Sequence, residues 1–362
     1  MTGIARAIRF CLAALSVAVA DPAFAADYYA GRRLVVLINY AAGGPADIEG
    51  RIFAKHFGRH IAGSPTVIVQ NMDGAAGMVG ANYMGEIAPK DGTMLGMLTA
   101  SSWQFALDDG KARVDYKTYE YVGTQQSTTV YFMRSDVKPG IKAPADLANA
   151  QGLVVGGLGA DSTKDLLLRL TLDLLGHKYK YVTGYRGSNA ARLALQQGEI
   201  NFYSESPPSY RSLVEPGLVA KGEAIGVFYD PSWDGRSLTR SSQVDGLPMP
   251  SFPELYKQIK GTEPSGKLWQ HYLTILALNG ELFRIAVLAP GTPKAAVDAL
   301  RAGMTRLATD KEFAEDANKA FGYVPSYFAG PDTNERVRAA LNTTPEMKAF
   351  VAEYVAAGSN YK

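Results

Sequence analysis

The most constraining feature of this chain is a unit that it repeats: an unbroken apolar run, a loop of small residues, then apolar residues at helical spacing. Residues 34–38, LVVLI, do not alternate with polar ones, which marks a strand covered on both faces. The loop NYAAGGPAD follows, and Ile48, Ile52, Phe53, Phe57 and Ile61 then fall on one helical stripe. The unit recurs as a strand over 66–69, the loop NMDGAAG and a helix over about 78–87. Asp91-Gly92 turns into a third strand, 94–98, that ends in Thr99, Ser101 and Ser102. Strands that alternate with helices in this way build a parallel sheet with helices packed on it, so the expected fold class is α/β.

The stretch YEYVGTQQSTTVYFM is rich in aromatic and β-branched residues and predicts one or two extended segments. The pattern then starts again. Strands are expected over 153–155, 179–183, 200–203 and 224–229, with helices over 166–175 and 190–197 closed by Gly176 and Gly198. A Pro-, Gly- and Ser-rich stretch over 230–253 suits a crossing segment, and a strand over 283–288 and helices beyond Pro293 complete the chain. The simplest organisation is two α/β lobes. Residues 26–126 with 249–362 form the first, discontinuous lobe, and residues 127–248 form the second.

Composition narrows the partners. The 362 residues are 47% hydrophobic and 20% charged with a net charge of +2, so nothing draws the chain to nucleic acid or an anionic membrane. Residues 1–25 predict a cleaved secretory signal peptide: Arg6 and Arg9, the run FCLAALSVAVA, too short to span a bilayer, and Ala23-Phe24-Ala25 as the cleavage site. The one cysteine, Cys11, falls inside that signal. The mature chain is therefore expected in a bacterial periplasm, without disulfides or thiol chemistry.

Patterns for catalysis are missing from the sequence. It has no GxSxG elbow, no HExxH, no paired-carboxylate constellation and no cysteine nucleophile. GGLGAD carries part of a dinucleotide fingerprint and lacks its third glycine. His56 and His60 have the i, i+4 spacing of metal ligands, but beside Phe57 and Arg59 they predict a solvated helix face. No cofactor, no metal and no enzyme activity are expected. The loops point elsewhere. In open parallel sheets, ligands bind at the carboxyl ends of strands, where helix N-termini attract anions. Gly43 and Gly44 let backbone amides approach an anion closely, and Asp47 lies in the first helical turn. NMDGAAG repeats the device, and the loop at Ser162-Thr163 offers it from the second lobe. Three such loops predict a cleft for a small ligand, with an exported, hydrolase-like α/β enzyme as the alternative.

These loops resemble those of the Bug-type periplasmic receptors of tripartite tricarboxylate transporters. That family's Pro-Phe-x-Pro-Gly-Gly-x-x-Asp loop is matched by residues 39–47, NYAAGGPAD, and its Asn-x-Pro-Gly-Ala-Gly-Gly loop by residues 71–77, NMDGAAG. Its Asp-Gly strand entry is matched by Asp91-Gly92-Thr93, its Pro-Tyr-Lys-Gly by Gly184-Tyr185-Arg186-Gly187, and its Ala-Pro-x-Gly-Thr-Pro by residues 289–293, one residue shorter. Residues 247–254 match a Leu-Pro-x-x-Pro-x-x-x-Glu segment loosely. The matches run in order over most of the mature chain.

The resemblance implies a two-lobed, periplasmic-binding-protein-like fold of type II. Each lobe is expected to be a mainly parallel sheet flanked by helices, with the ligand cleft between lobes. It also implies a monomeric receptor that closes over a small carboxylate (a dicarboxylate or an aromatic acid) and delivers it to membrane permease subunits. A receptor that feeds a sensor kinase would share this chemistry. The implied ligand contacts in the first lobe are Tyr40, Ala42, Gly43, Gly44, Ala46 and Asp47, then Gly74, Ala75, Ala76 and Gly77, with Ser101 and Ser102 beside them. Those in the second lobe, which decides selectivity, are Ser162, Thr163, Tyr185, Arg186 and Glu205. Pro45, Asp73, Asp165 and Asn201 depart from the family pattern. Pro45 removes one N–H donor and Asp73 adds negative charge, both unfavourable to a citrate-like ligand. Tyr40, Trp103, Tyr185 and Tyr203 suit a less polar or aromatic carboxylate, or interlobe packing.

Overall fold

The computed structural model describes residues 28–358, apart from 100–102, 104, 107–109, 111, 186 and 234–236. The expected signal, residues 1–25, lies outside the described residues. The repeated units appear in the order the sequence predicts: β1 (Arg33–Ile38), α1 (Pro45–Phe57), β2 (Thr66–Asn71), α2 (Met78–Glu86) and β3 (Met94–Thr99). The aromatic stretch divides into β4 (Glu120–Gln125) and β5 (Val130–Arg134), which belong to different sheets. The second series follows as β6 (Leu153–Gly156), α3 (Thr163–Leu175), β7 (Tyr179–Val182), α4 (Ser188–Gln196), β8 (Phe202–Glu205) and β9 (Ala224–Tyr229). A short hairpin, β10 (Ser232–Trp233) and β11 (Leu238–Thr239), leads to α5 (Phe252–Lys260) and α6 (Lys267–Leu282). The chain ends with β12 (Arg284–Leu288), α7 (Lys294–Leu307), α8 (Lys311–Phe321), β13 (Tyr327–Phe328), α9 (Thr333–Ala340) and α10 (Pro345–Ala357).

The strands form a six-stranded sheet, β13-β4-β12-β3-β1-β2, and a five-stranded sheet, β7-β6-β8-β5-β9. β1 is parallel to β2 and β3, and β6 is parallel to β7 and β8. β13 is antiparallel to β4 at the edge of the first sheet, and each sheet holds one reversed strand in its interior: β12 is antiparallel to β3 and β4, and β5 to β8 and β9. These are the strands by which the chain enters each sheet from the other, so both sheets are mixed. Thr99 aligns with Arg284, which aligns with Gln125, and Glu205 aligns with Val130. The carboxyl edges of the two sheets therefore flank the crossing at residues 126–129.

The unbroken apolar runs account for the burial. β3 and β12 are buried at every position. α1 differs from its expected stripe: Ile48 is 43% exposed, while Glu49, Phe53, His56 and Phe57 are buried. The reason is electrostatic. Glu49 is the ion-pair partner of the buried Arg284, and breaking a buried pair costs about 3–5 kcal/mol. Burying one isoleucine returns only about 1.5–3 kcal/mol, so the helix turns its carboxylate inward. His56 and His60 do not lie on a solvated face either. His56 is buried with Nε2 2.8 Å from Asp316 Oδ2, and His60 Nε2 lies 2.6 Å from Asp310 Oδ2. The pair fastens α1 to α8. Among the described residues, no three His, Cys, Asp or Glu side chains group to hold a metal, and no helix is long and apolar enough to cross a membrane.

Candidate functional site

The first loop is built by Asp47. Gly43 takes φ +81°, a conformation that favours glycine. Gly44 (φ −84°, ψ 171°) is the N-cap of α1, and Pro45 opens the helix with its fixed φ. One turn on, the buried Asp47 carboxylate accepts from the Gly43 N–H at 2.8 Å, Arg51 Nε at 2.9 Å and Asn71 Nδ2 at 2.9 Å. Burial alone would raise this carboxyl's pKa, but the bonds from Arg51, Gly43 and Asn71 outweigh it and hold the group below the usual carboxylate range. Asn71, at the end of β2, also donates to the Tyr40 carbonyl at 2.9 Å and accepts from Arg51 Nη2 at 3.0 Å. The Gly43 amide is therefore engaged inside the loop. Helix geometry leaves the Ala46 and Asp47 N–H groups of the first turn without intrahelical partners.

Asn39 does for the second loop what Asn71 does for the first. Its buried amide donates to the Gly77 and Thr99 carbonyls, both at 3.1 Å, and accepts from the Thr99 N–H at 2.9 Å. Gly77 takes φ +89°, and a Cβ there would lie 2.4 Å from Asn39 Nδ2. Only glycine fits. Gly74 and Ala75 also have positive φ (+122° and +47°). Tyr40 and Ala46 are half-buried and Ala42 is exposed. Ser101, Ser102 and Arg186, and the side chain of Ala76, lie outside the described residues.

Beneath these loops sits an ion pair that the sequence reading did not single out. Arg284 bonds Glu49, reaches Thr99 Oγ1 at 3.0 Å and Gln125 Oε1 at 3.1 Å, and Tyr327 donates to Glu49 at 3.3 Å. The signal for it was present: an arginine opening an otherwise apolar strand, RIAVL.

In the second series, Ser162 caps α3 by accepting from the Asp165 N–H at 3.3 Å. Thr163 is buried and donates to Asn279 of α6 at 2.8 Å. Asp165 is buried too, and accepts from Tyr181 at 2.7 Å and the Gly159 N–H at 3.0 Å. Burial raises its pKa, and these donors with Lys164 offset that only in part. Glu205 ends β8, fully buried, 2.6 Å from Arg192. The Tyr185 hydroxyl is turned to Glu199, to which it donates at 2.6 Å. Trp103, beyond β3, donates from Nε1 to the Asp161 carbonyl at 2.6 Å and so joins the loops of the two sheets directly.

An open hollow of about 540 Å³ runs along α1 and β2 past Arg51, Lys55 and Arg59. Its cations are already paired with Asp47, Asp316 and Asp310. It offers no free charge to an anion.

Solved structures with this architecture include a TctC solute binding protein from Polaromonas, 18% identical with a TM-score of 0.59 over 91% of this chain and 99% of that one. The periplasmic binding protein BugD is 19% identical, TM-score 0.62, over 90% and 98%. The chain has the fold of the TctC- and Bug-type periplasmic binding proteins. The two-lobed α/β fold expected from the sequence is the one observed. A third structure with this TctC/Bug fold, an R. palustris protein with adipate, is 17% identical with a TM-score of 0.65 over 90% and 97%. Among sequences, the chain is similar to a UPF0065 protein from the TAR-I ttuE-ttuC' intergenic region of Agrobacterium vitis, 32% identical over 185 residues. It is also similar to a UPF0065 protein in the gbd 5' region of Cupriavidus necator, 27% identical over 228 residues. The matches cover 49% and 59% of this chain, and the chain spans about half of the first relative (51%) and 65% of the second. No protein-family model matches the chain.

Proposed function

We propose that the chain is a periplasmic solute-binding receptor, not an enzyme, that captures a small carboxylate-containing metabolite and delivers it to the membrane subunits of a tripartite tricarboxylate-type transporter. In this reading residues 1–25 direct export. Residues 26–126 with 249–362 act as one lobe, residues 127–248 as the other, and the monomer closes at the crossing. The observation that carries the reading is the paired loop at the carboxyl edge of the first sheet. Asp47, Asn71 and Asn39 fix its shape from within, and the first-turn amides of α1 stay available to an anion. The amides of Gly44, Ala46 and Asp47 take one ligand carboxylate, the loop at Gly74, Ala75, Ala76 and Gly77 lines its other side, and Tyr40 borders it. Ser162, Thr163 and Glu205 approach from the second lobe. The adipate in one structural neighbour is a ligand of this chemical class.

A thermal-shift panel of aliphatic and aromatic carboxylates tests the reading: a true ligand raises Tm and is recovered unconsumed. Turnover of the stabilising compound would favour the hydrolase class instead. Gly44→Val supplies the site test. Gly44 has an ordinary negative φ, and its nearest neighbour to an added Cβ is Ala41 O at 3.6 Å, so the variant folds while its side chain covers the amides. Unchanged affinity in Gly44→Val would place the ligand elsewhere.

A further inference from the structure

Asp230 stands where the chain leaves the second sheet, and each of its polar groups is tied to a segment that passes between the sheets. The chain goes from β4 to β5 at residues 126–129, and it returns from Asp230, just after β9, through the hairpin, α5 and α6 to β12. The Asp230 N–H donates to the Thr129 carbonyl at 2.9 Å, and its carbonyl accepts from Thr128 Oγ1, both on the outward crossing. Its carboxylate accepts from Tyr131 at 2.6 Å, on β5, and from Tyr272 at 2.7 Å, on the helix that completes the return. Gln243 adds a second tie between the two crossings, donating from Nε2 to the Gln126 carbonyl at 2.8 Å. A rotation of one sheet against the other therefore bends the segments that this one residue joins.

The surroundings give the carboxyl no cation. Asp230 is fully buried, and the groups bonded to it are the hydroxyls of Tyr131, Tyr272 and Thr129. On α6, Trp269, Ile275 and Leu276, one turn to either side of Tyr272, are apolar and buried, and His271 stacks on Phe350 of α10. From β9, Phe228 stacks on Tyr131, and from α5, Phe252 packs on Phe228 and Tyr272. Arg240, on the return, donates to the Tyr229 hydroxyl and to the Val244 and Leu247 carbonyls. Burial without a cation disfavours the charged form, and the carboxyl is pushed up to about 7 against its hydroxyl bonds. In this arrangement the loops of the two sheets also meet, through Trp103 and Asp161.

We propose that closing of the lobes seals Asp230 and takes up a proton there, so that ligand binding is coupled to protonation at the crossing. The inference rests on the reading of the chain as a receptor whose lobes close on their ligand. Parting the lobes bends both crossings where they meet, loosens the two tyrosine bonds and admits water, which favours the ionised acid. The coupling is reciprocal: a ligand that closes the lobes tightens the proton, and the proton tightens the ligand. Its sign is fixed, because the acid is weaker in the closed form than in the open one. Affinity should fall as pH rises through the closed value, about 7, and level off above it, a loss of about 10-fold between pH 6 and 8 if the open form titrates at its ordinary value.

Calorimetry with succinate, adipate and benzoate tests it, each titrated at pH 6 in two buffers of different ionisation enthalpy and again at pH 8. The buffer pair counts the protons taken up on binding, and Asp230→Asn subtracts those that belong to the added acid. The parent should take up about one proton more per bound molecule than Asp230→Asn at pH 6, and only the parent should lose affinity by about 10-fold at pH 8. Tyr272→Phe keeps the ring, the acid and the fold but removes one bond to the charged form, so it should move the fall in affinity to higher pH. Equal proton counts in parent and Asp230→Asn, or a Tyr272→Phe profile that does not move, overturn the inference. If the parent binds one of the three acids with those equal counts, the receptor reading stands and this one falls. A parent that binds none of them overturns both.

Discussion

Asp47 tests how the first loop holds its shape. The carboxylate is 3% exposed and accepts from Gly43, Arg51 and Asn71 at 2.8, 2.9 and 2.9 Å. The Arg51 side chain is 52% exposed, so that pair is screened and contributes less than about 1 kcal/mol. The bonds from Gly43 and Asn71 end on a buried charge and are worth about 1.5–3 kcal/mol each. They share one acceptor group and are not additive, so Asp47→Ala should cost about 2–4 kcal/mol. Asp47→Asn fares better but not well. Its single oxygen can serve Gly43 or Asn71, and its NH2 then opposes a donor at the other site. Asn71 cannot turn to accommodate it without losing its bond to the Tyr40 carbonyl.

Urea unfolding at pH 7 measures this directly, and Asp47→Ala should move the midpoint down by about 1 M or more. The pH dependence has a definite sign. The folded pKa is depressed, so the carboxylate's contribution is fully present above its ordinary value, about 3.9, and is lost as pH falls through the folded value. Parent and variant midpoints should therefore converge in acid. An Asp47→Ala protein with the parent's midpoint at pH 7 would refute the claim that this carboxylate holds the loop.

Three further outcomes are expected. Arg284→Met strands Glu49 in the interior and should cost about 3–5 kcal/mol, whereas Glu49→Gln with Arg284→Met should recover part of it; equal urea midpoints for both would show the pair to be unimportant. Asp230 is fully buried beneath Tyr131 and Tyr272 at 2.6 and 2.7 Å, and burial pushes its carboxyl up to about 7 against those bonds. The folded chain then keeps a proton that the unfolded chain releases, so stability should fall as pH rises from about 4 to 7; Asp230→Asn should flatten that slope of Tm against pH, and an unchanged slope would rule the group out. Trp103→Phe removes the bond to Asp161, worth about 1 kcal/mol, and should give ligand-free scattering curves of a wider molecule; identical curves would mean the bond does not hold the lobes together.

The fold was legible because its signals are local. Unbroken runs such as LVVLI and MLGML mark strands buried on both faces, and Gly176 and Gly198 close helices in the left-handed conformation their positions require. The loops were legible for the same reason, since Gly43, Gly77 and Pro45 fix backbone geometry by themselves. Pairs that need two distant residues left no such mark. A stripe drawn through Ile48 looked complete without Glu49, because nothing nearby announces that Arg284 will arrive from another strand. His56 and His60 looked solvated because their partners, Asp316 and Asp310, belong to a helix at the far end of the chain. Lys164 and Arg192 left no mark in the sequence either, because Glu205, which lies near both, ends a separate strand, β8.

The same distinction resolves an apparent conflict in the first loop. A carboxylate in the first turn of a helix that is to receive an anion looks self-defeating, since two like charges would share one small volume. The bonds show why it is not. Both Asp47 oxygens are turned into the protein, one toward Gly43 and Arg51 and the other toward Asn71, and Arg51 offsets the charge at 2.9 Å. The remaining first-turn amides, those of Ala46 and Asp47, have no intrahelical acceptor and sit at the helix's positive end. In the proposed site, Asp47 therefore shapes the loop with its side chain while its own backbone N–H, which has no intrahelical acceptor, is left for the ligand. A residue that can do both must be short, charged and one turn inside the helix, and aspartate meets all three conditions.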